Sequence, residues 1–138
     1  YIFGMHKSAF VKDLVEEAGG AIVVAHPYRR VYRETAPQDE TSYAEMLERG
    51  LRNEVFDIVD AIEIRNGRGT VKENEFAENL AKKLNMPKTG ASDAHKLADI
   101  GTYATEFYDK ITGLGDLIKS IKSGRYDAKE LEFRPPEK

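Results

Sequence analysis

The chain has 138 residues, 41% hydrophobic and 33% charged, which suits one domain with a real core and not a disordered segment. Its 21 Lys and Arg stand against 24 Asp and Glu, a formal charge of -3, so no global field recruits nucleic acid or an anionic membrane. It has no cysteine, which excludes disulfides, thiolate nucleophiles and Cys-ligated zinc and leaves any metal to His, Asp, Glu or other oxygen ligands.

Ser8 reads as the cap of a first helix, with Phe10, Val11, Leu14, Val15 and Ala18 at helical spacing and Gly19-Gly20 as its end. Ala21 to Ala25 reads as a buried strand that stops at His26-Pro27, since proline brings no N–H to a ladder. The polar stretch from Tyr28 to Thr41 is longer than most connections, and reads equally as a lid or binding loop and as a surface excursion. Ser42 and Glu45 have capping-box spacing before a helix with Met46, Leu47 and Leu51 inward, and Val59 to Ile64 follows as a strand.

Thr70 and Glu73 repeat the capping-box spacing before a helix with Phe76, Ala77, Leu80, Ala81 and Leu84 on one face, stopped by Asn85 and Pro87. Lys88 to Ser92 and Tyr103 to Phe107 read as strands. Leu114, Leu117, Ile118 and Ile121 mark a helix closed by Gly124, and Asp127 to Phe133 reads as an edge strand. Residues 1–133 therefore form one α/β domain and 134–138 a tail. Alternation of strands and helices favours a parallel sheet, open or curved into part of a barrel.

In such architectures ligands gather at the carboxyl ends of the strands, where His26, Asn66, Asp93 and His95 fall. Residues i and i+2 of extended chain point the same way, so Asp93 and His95 can act together, with the small Gly90, Ala91 and Ser92 leaving room beside them. Taken singly, an Asp after Ser is a turn or cap residue and a His after a strand is a surface residue. Two of the three histidines plus an aspartate at matching strand ends point instead to a divalent metal, and a carboxylate with imidazoles suits Zn, Mn or Fe. His6 precedes the first helix and reads as ordinary.

The stretches "GGAIVVAHPYR" (19–29), "DAIEIRNGRG" (60–69) and "TGASDAHKLADIGTYATEF" (89–107) resemble the later motifs of the PHP (polymerase and histidinol phosphatase) family, over roughly Ala18 to Gly124. The resemblance implies a metal-dependent phosphoesterase on a distorted, seven-stranded, TIM-like β/α barrel with a cluster of up to three metal ions. It makes His26, Asp93 and His95 metal ligands, spread over different ions. The family's opening His-x-His motif, its further N-terminal histidines and its bridging glutamate have no counterpart in Tyr1 to Gly20. The likeness is thus to the C-terminal part of a PHP domain. It implies the remaining N-terminal part as a partner and an isolated chain that binds metal weakly and turns over poorly.

The function expected of the full-length protein is hydrolysis of a phosphate ester. Arg29, Asn66 and Arg68, with Arg30, Arg33 and Arg65 nearby, are the candidates to hold substrate phosphate. Nucleic acid enters only as a substrate. The alternative is a non-catalytic PHP-like binding or scaffolding module. Two His and a carboxylate also make the facial triad of non-haem iron oxygenases, but helix–strand alternation argues against their jelly-roll folds. A Ser92-based hydrolase lacks the Gly-x-Ser-x-Gly elbow. With no apolar run near the roughly 18 residues of a spanning helix and no signal-peptide pattern, a soluble cytoplasmic protein is expected and no membrane partner.

Overall fold

A parallel sheet organises the chain, with strands β1 (Val23–Val24), β2 (Ala61–Asn66) and β3 (Lys88–Ala91) in the order β1-β2-β3. The structure is a computed structural model that describes residues 7–29 and 39–131. Val23 and Val24 lie opposite Ala61 and Ile62, while Ile62 and Glu63 lie opposite Lys88 and Thr89. The β2–β3 register then slips, pairing Arg65 with Gly90 and Asn66 with Ala91. The central strand is β2, buried on both faces as a middle parallel strand must be.

Helices α1 (Ser8–Glu17), α2 (Glu40–Leu51), α3 (Val71–Leu84) and α4 (Leu114–Ser123) alternate with the strands. Met46 and Leu47 of α2, Ile62 and Ile64 of β2, and Phe76, Ala77, Leu80 and Ala81 of α3 make one core with Phe56. Phe76, Ile62 and Leu80 are among the largest wholly buried side chains, each contributing about 1.5–3 kcal/mol by leaving water. Tyr28 and Tyr43 set their rings against Phe76 at the rim of this core.

The expected Thr70–Glu73 capping box is formed in both directions, and α3 ends on left-handed Asn85. At α2 the capping differs from expectation. The helix starts at Glu40 because Asp39, not Ser42, is the cap, its carboxylate accepting from the Ser42 N–H at 2.7 Å beside the positive helix end. Similarly Ser8 is the first helical residue of α1 and Lys7 the cap position, with no side-chain bond.

Strands β4 (Tyr103–Phe107) and β5 (Tyr126–Glu130) form a separate antiparallel pair that packs on β3. Thr105 fastens the two sheets, its hydroxyl donating to Gly90 O at 2.9 Å and accepting from Gly90 N at 3.1 Å. The expected parallel sheet is thus three strands wide, the last two strands run against each other, and among the described residues no barrel closes. The last strand covers Tyr126–Glu130, one residue ahead of the expected start at Asp127, and its expected end at Phe133, the tail and most of the expected loop lie outside the described residues. Among the described residues no helix is long and apolar enough to cross a membrane.

Candidate functional site

The parallel sheet delivers His26, Asn66 and Asp93 to one edge, because they lie at or just beyond the carboxyl ends of β1, β2 and β3. His26 (φ 31°) and Asp93 (φ 49°) are both left-handed, a conformation that costs a residue with a Cβ about 1–3 kcal/mol and persists only where the surroundings enforce it. Two contacts do so. The His26 N–H donates to Glu63 Oε2 at 2.6 Å, and Arg29 Nη1 donates to Asp93 Oδ2 at 2.7 Å. Each joins a residue behind β1 to another strand.

Glu63 was not singled out from the sequence. Besides His26, its Oε2 accepts from Asn66 Nδ2 at 3.0 Å. Asn66 is in turn locked. Its N–H donates to Asn74 Oδ1 (3.1 Å), its carbonyl accepts from Asn74 Nδ2 (3.2 Å), and its Oδ1 accepts from Arg68 N (3.0 Å). Glycines 67 and 69 make this turn possible through space, not through positive φ: a Cβ on Gly69 would stand 2.8 Å from Asn74 Oδ1, and one on Gly67 would collide with the Ser92 carbonyl. Asp60 does a related service at the other end of β2, accepting from Ile22 N at 2.7 Å and aligning β1. The available signal for both acids was a carboxylate inside the apolar run "VDAIEI".

Burial pushes the Asp93 carboxyl up, but hydrogen bonds from Arg29 and Asn66 and the charges of Arg29 and His26 outweigh it and hold it below the usual carboxylate range. Asp93 is therefore a firm anion. His95 is exposed, on the turn beyond it, and its Nδ1 lies 2.8 Å from the Asp93 carbonyl oxygen and 3.9 Å from Asp93 Oδ1. With Nδ1–H donating to that carbonyl, Nε2 keeps its lone pair, the tautomer a metal-ligating histidine needs. Asp99 Oδ2 accepts from the backbone N–H of His95 and Lys96 and fixes the turn. Ser92 is engaged structurally, donating to Tyr103 O and accepting from Gly101 N.

The arginines separate. Arg29 stands at the site, largely buried. Arg65 turns to α3, where Nη2 meets Glu78 Oε2 at 2.6 Å. Arg68 is exposed at the β2–α3 turn, and Arg30, Arg33 and His6 lie outside the described residues. Asn66, expected as a substrate contact, is 2% exposed with its amide engaged by protein, so it shapes the site instead of facing it. Among the described residues no three His, Cys, Asp or Glu form a group that could hold a metal ion. The cavity between His26, Arg29, Glu63, Asn66 and Asn74 measures about 10 Å³, room for about one water and not for a phosphate ester.

Residues 71–126, from α3 to the first residue of β5, match the model of the PHP-associated family (PHP_C). Over those residues the chain is similar to the PHP-associated family, which is consistent with the C-terminal part of a PHP domain. The match takes in Asp93 and His95, while His26, Arg29 and Glu63 fall before it. The fold is similar to that in the crystal structure of PsfC from Pseudomonas syringae PB-5123, with a TM-score of 0.62 at 18% identity over 95% of this chain and 48% of PsfC. At that identity the likeness is one of fold, and the chain spans about half of PsfC. No curated protein sequence matches the chain.

Proposed function

We propose that this chain is the C-terminal part of a metal-dependent phosphoesterase of the PHP family, with His26, Asp93 and His95 as metal ligands and Arg29 as a phosphate contact. The observation that carries the reading is that a left-handed His26 and a left-handed Asp93 stand at one edge of the parallel sheet. The donor set suits a divalent ion such as Zn, Mn or Fe: Asp93 is held as an anion, and the Nδ1 contact of His95 leaves Nε2 available. When bound, the ion supplies Lewis acidity toward a phosphoryl oxygen and an acidified water. Arg29 neutralises Asp93 with Nη1, and the other N–H groups of its planar fork suit a phosphate oxygen.

Three ligands do not complete a multi-ion cluster. The remaining N-terminal part of the PHP domain supplies the others, and the isolated chain binds metal weakly and hydrolyses little. The apolar face of α1 favours the second reading, a PHP-like binding or scaffolding module, because Phe10, Val11, Leu14 and Val15 all stay incompletely buried. Assays of the full-length protein on a panel of phosphate esters with Mn or Zn, with and without EDTA, separate the two. EDTA-sensitive hydrolysis lost on Asp93→Asn supports the enzyme, and absence of hydrolysis with any ester and metal leaves the module.

A further inference from the structure

Glu63 is a buried acid to which the proposed chemistry gives no part. Strand periodicity turns it to the face opposite its core neighbours Ile62 and Ile64, where an apolar residue would satisfy packing alone. A carboxylate in such a place needs hydrogen bonds to offset its lost hydration. It has two on one oxygen, from the N–H of His26, 37 residues away, and from the side chain of Asn66. The first holds a strained backbone: with a 3.3 Å turn bond from Arg29 N to the His26 carbonyl, the acceptor under its N–H keeps His26 at φ 31°. The second reaches further. Because Arg68 N occupies Asn66 Oδ1 and Asn74 clamps the Asn66 main chain, the Asn66 amide cannot flip, and its NH₂ faces Glu63.

We propose that Glu63 is the positioning residue of this site, setting the backbone of His26 directly and fixing the Asn66 side chain beside it. The inference rests on the reading of His26 and Asp93 as metal ligands, but the geometry it describes exists without metal. In this reading Glu63 touches neither ion nor substrate, and its effect is on the placement of His26 relative to the neighbouring strand.

The test uses the full-length protein, labelled with 15N, as wild type, Glu63→Gln and Asp93→Asn. In the metal-free wild type the His26 amide proton is expected far downfield and protected from exchange, although His26 itself is exposed. Glu63→Gln, which keeps the shape and removes the charge, is expected to move that resonance upfield, leave distant resonances in place, and weaken Mn²⁺ binding about tenfold by electron paramagnetic resonance titration. An unmoved His26 amide overturns the proposal. Mn²⁺ binding that Asp93→Asn removes and Glu63→Gln leaves intact overturns the action on the ligands. No Mn²⁺ binding by the wild type, with the His26 amide still responding to Glu63→Gln, overturns the metal reading and upholds the positioning of His26. Should Glu63→Gln not fold, the wild type decides alone: an ordinary, rapidly exchanging His26 amide overturns the proposal.

Discussion

Arg29 Nη1 and Asp93 Oδ2 meet at 2.7 Å across 64 residues of sequence, with each side chain about four-fifths covered. The guanidinium therefore stands on one oxygen of the carboxylate proposed to bind metal, and a cation at that oxygen would face a positive neighbour. Arg29→Met is expected to tighten Mn²⁺ or Zn²⁺ binding several-fold in calorimetry while weakening binding of inorganic phosphate. It should also cost about 1–2 kcal/mol in chemical denaturation, because Asp93 loses a charge-assisted partner at a partly solvated site. Metal affinity that falls with the substitution would place Arg29 among the supports of the ligand, not opposite the ion.

Gly67 is expected to tolerate no side chain. A Cβ there meets the carbonyl and Cα of Ser92, which are backbone and cannot rotate aside. Gly67→Ala should therefore push the end of β3, and Asp93 with it, away from β2. The expected result is a loss of about 1–3 kcal/mol and shifted Asp93 and His95 resonances, checked by thermal unfolding and by 1H–15N spectra. Gly113→Ala, at a glycine with open space around it, is the control and should change stability far less.

What could be read from the sequence was local. The Thr70–Glu73 box and the α3 face of Phe76, Ala77, Leu80 and Ala81 depend on contacts three or four residues apart, so the pattern itself carries them. The start of α2 departs from the expected Ser42 cap because the backbone path brings the carboxylate of Asp39 to the Ser42 N–H, a contact the Ser42–Glu45 spacing does not carry. The strand-end grouping of His26, Asn66 and Asp93 followed from strand–helix alternation. The bonds of Glu63 to His26 and of Arg29 to Asp93 had no such signal, since each closes over a long separation and joins residues with no periodic relation. The antiparallel return of β5 was hidden for the same reason: a helix between two strands predicts a parallel crossover, and tertiary packing on β3 chose otherwise.

Stability should carry a measurable signature of Glu78. Hydrogen bonding to Lys82 lowers its carboxyl from an ordinary 4.5; burial opposes this and Arg65 reinforces it. A carboxyl lowered in the folded state contributes stability that is complete above its unfolded value and lost as pH falls through the lowered one. Glu78→Gln is thus expected to cost about 1 kcal/mol at pH 7, and the gap to wild type should close as pH drops below about 4, followed by urea unfolding at several pH values. A gap that stays constant down to pH 2 would show that the side chain acts through packing and not through charge.

The last expectation separates ligand from core. Asp93 has little apolar area to lose, so Asp93→Ala in the full-length protein should abolish most metal-dependent hydrolysis and leave the fold largely intact. Its effect on stability is expected to be modest and unfavourable, because the substitution leaves Arg29 without its partner and puts alanine at φ 49°, a conformation aspartate tolerates better. Leu80 is the opposite case. It is wholly buried between α3, α2 and β2, and Leu80→Ala is expected to cost about 2–5 kcal/mol while any surviving folded protein keeps its ligands in place. Unfolding curves paired with turnover per folded molecule check both. Unchanged turnover in Asp93→Ala would overturn the ligand assignment, and a loss of turnover matched by an equal loss of folded protein would mean that Asp93 serves the fold instead of the chemistry.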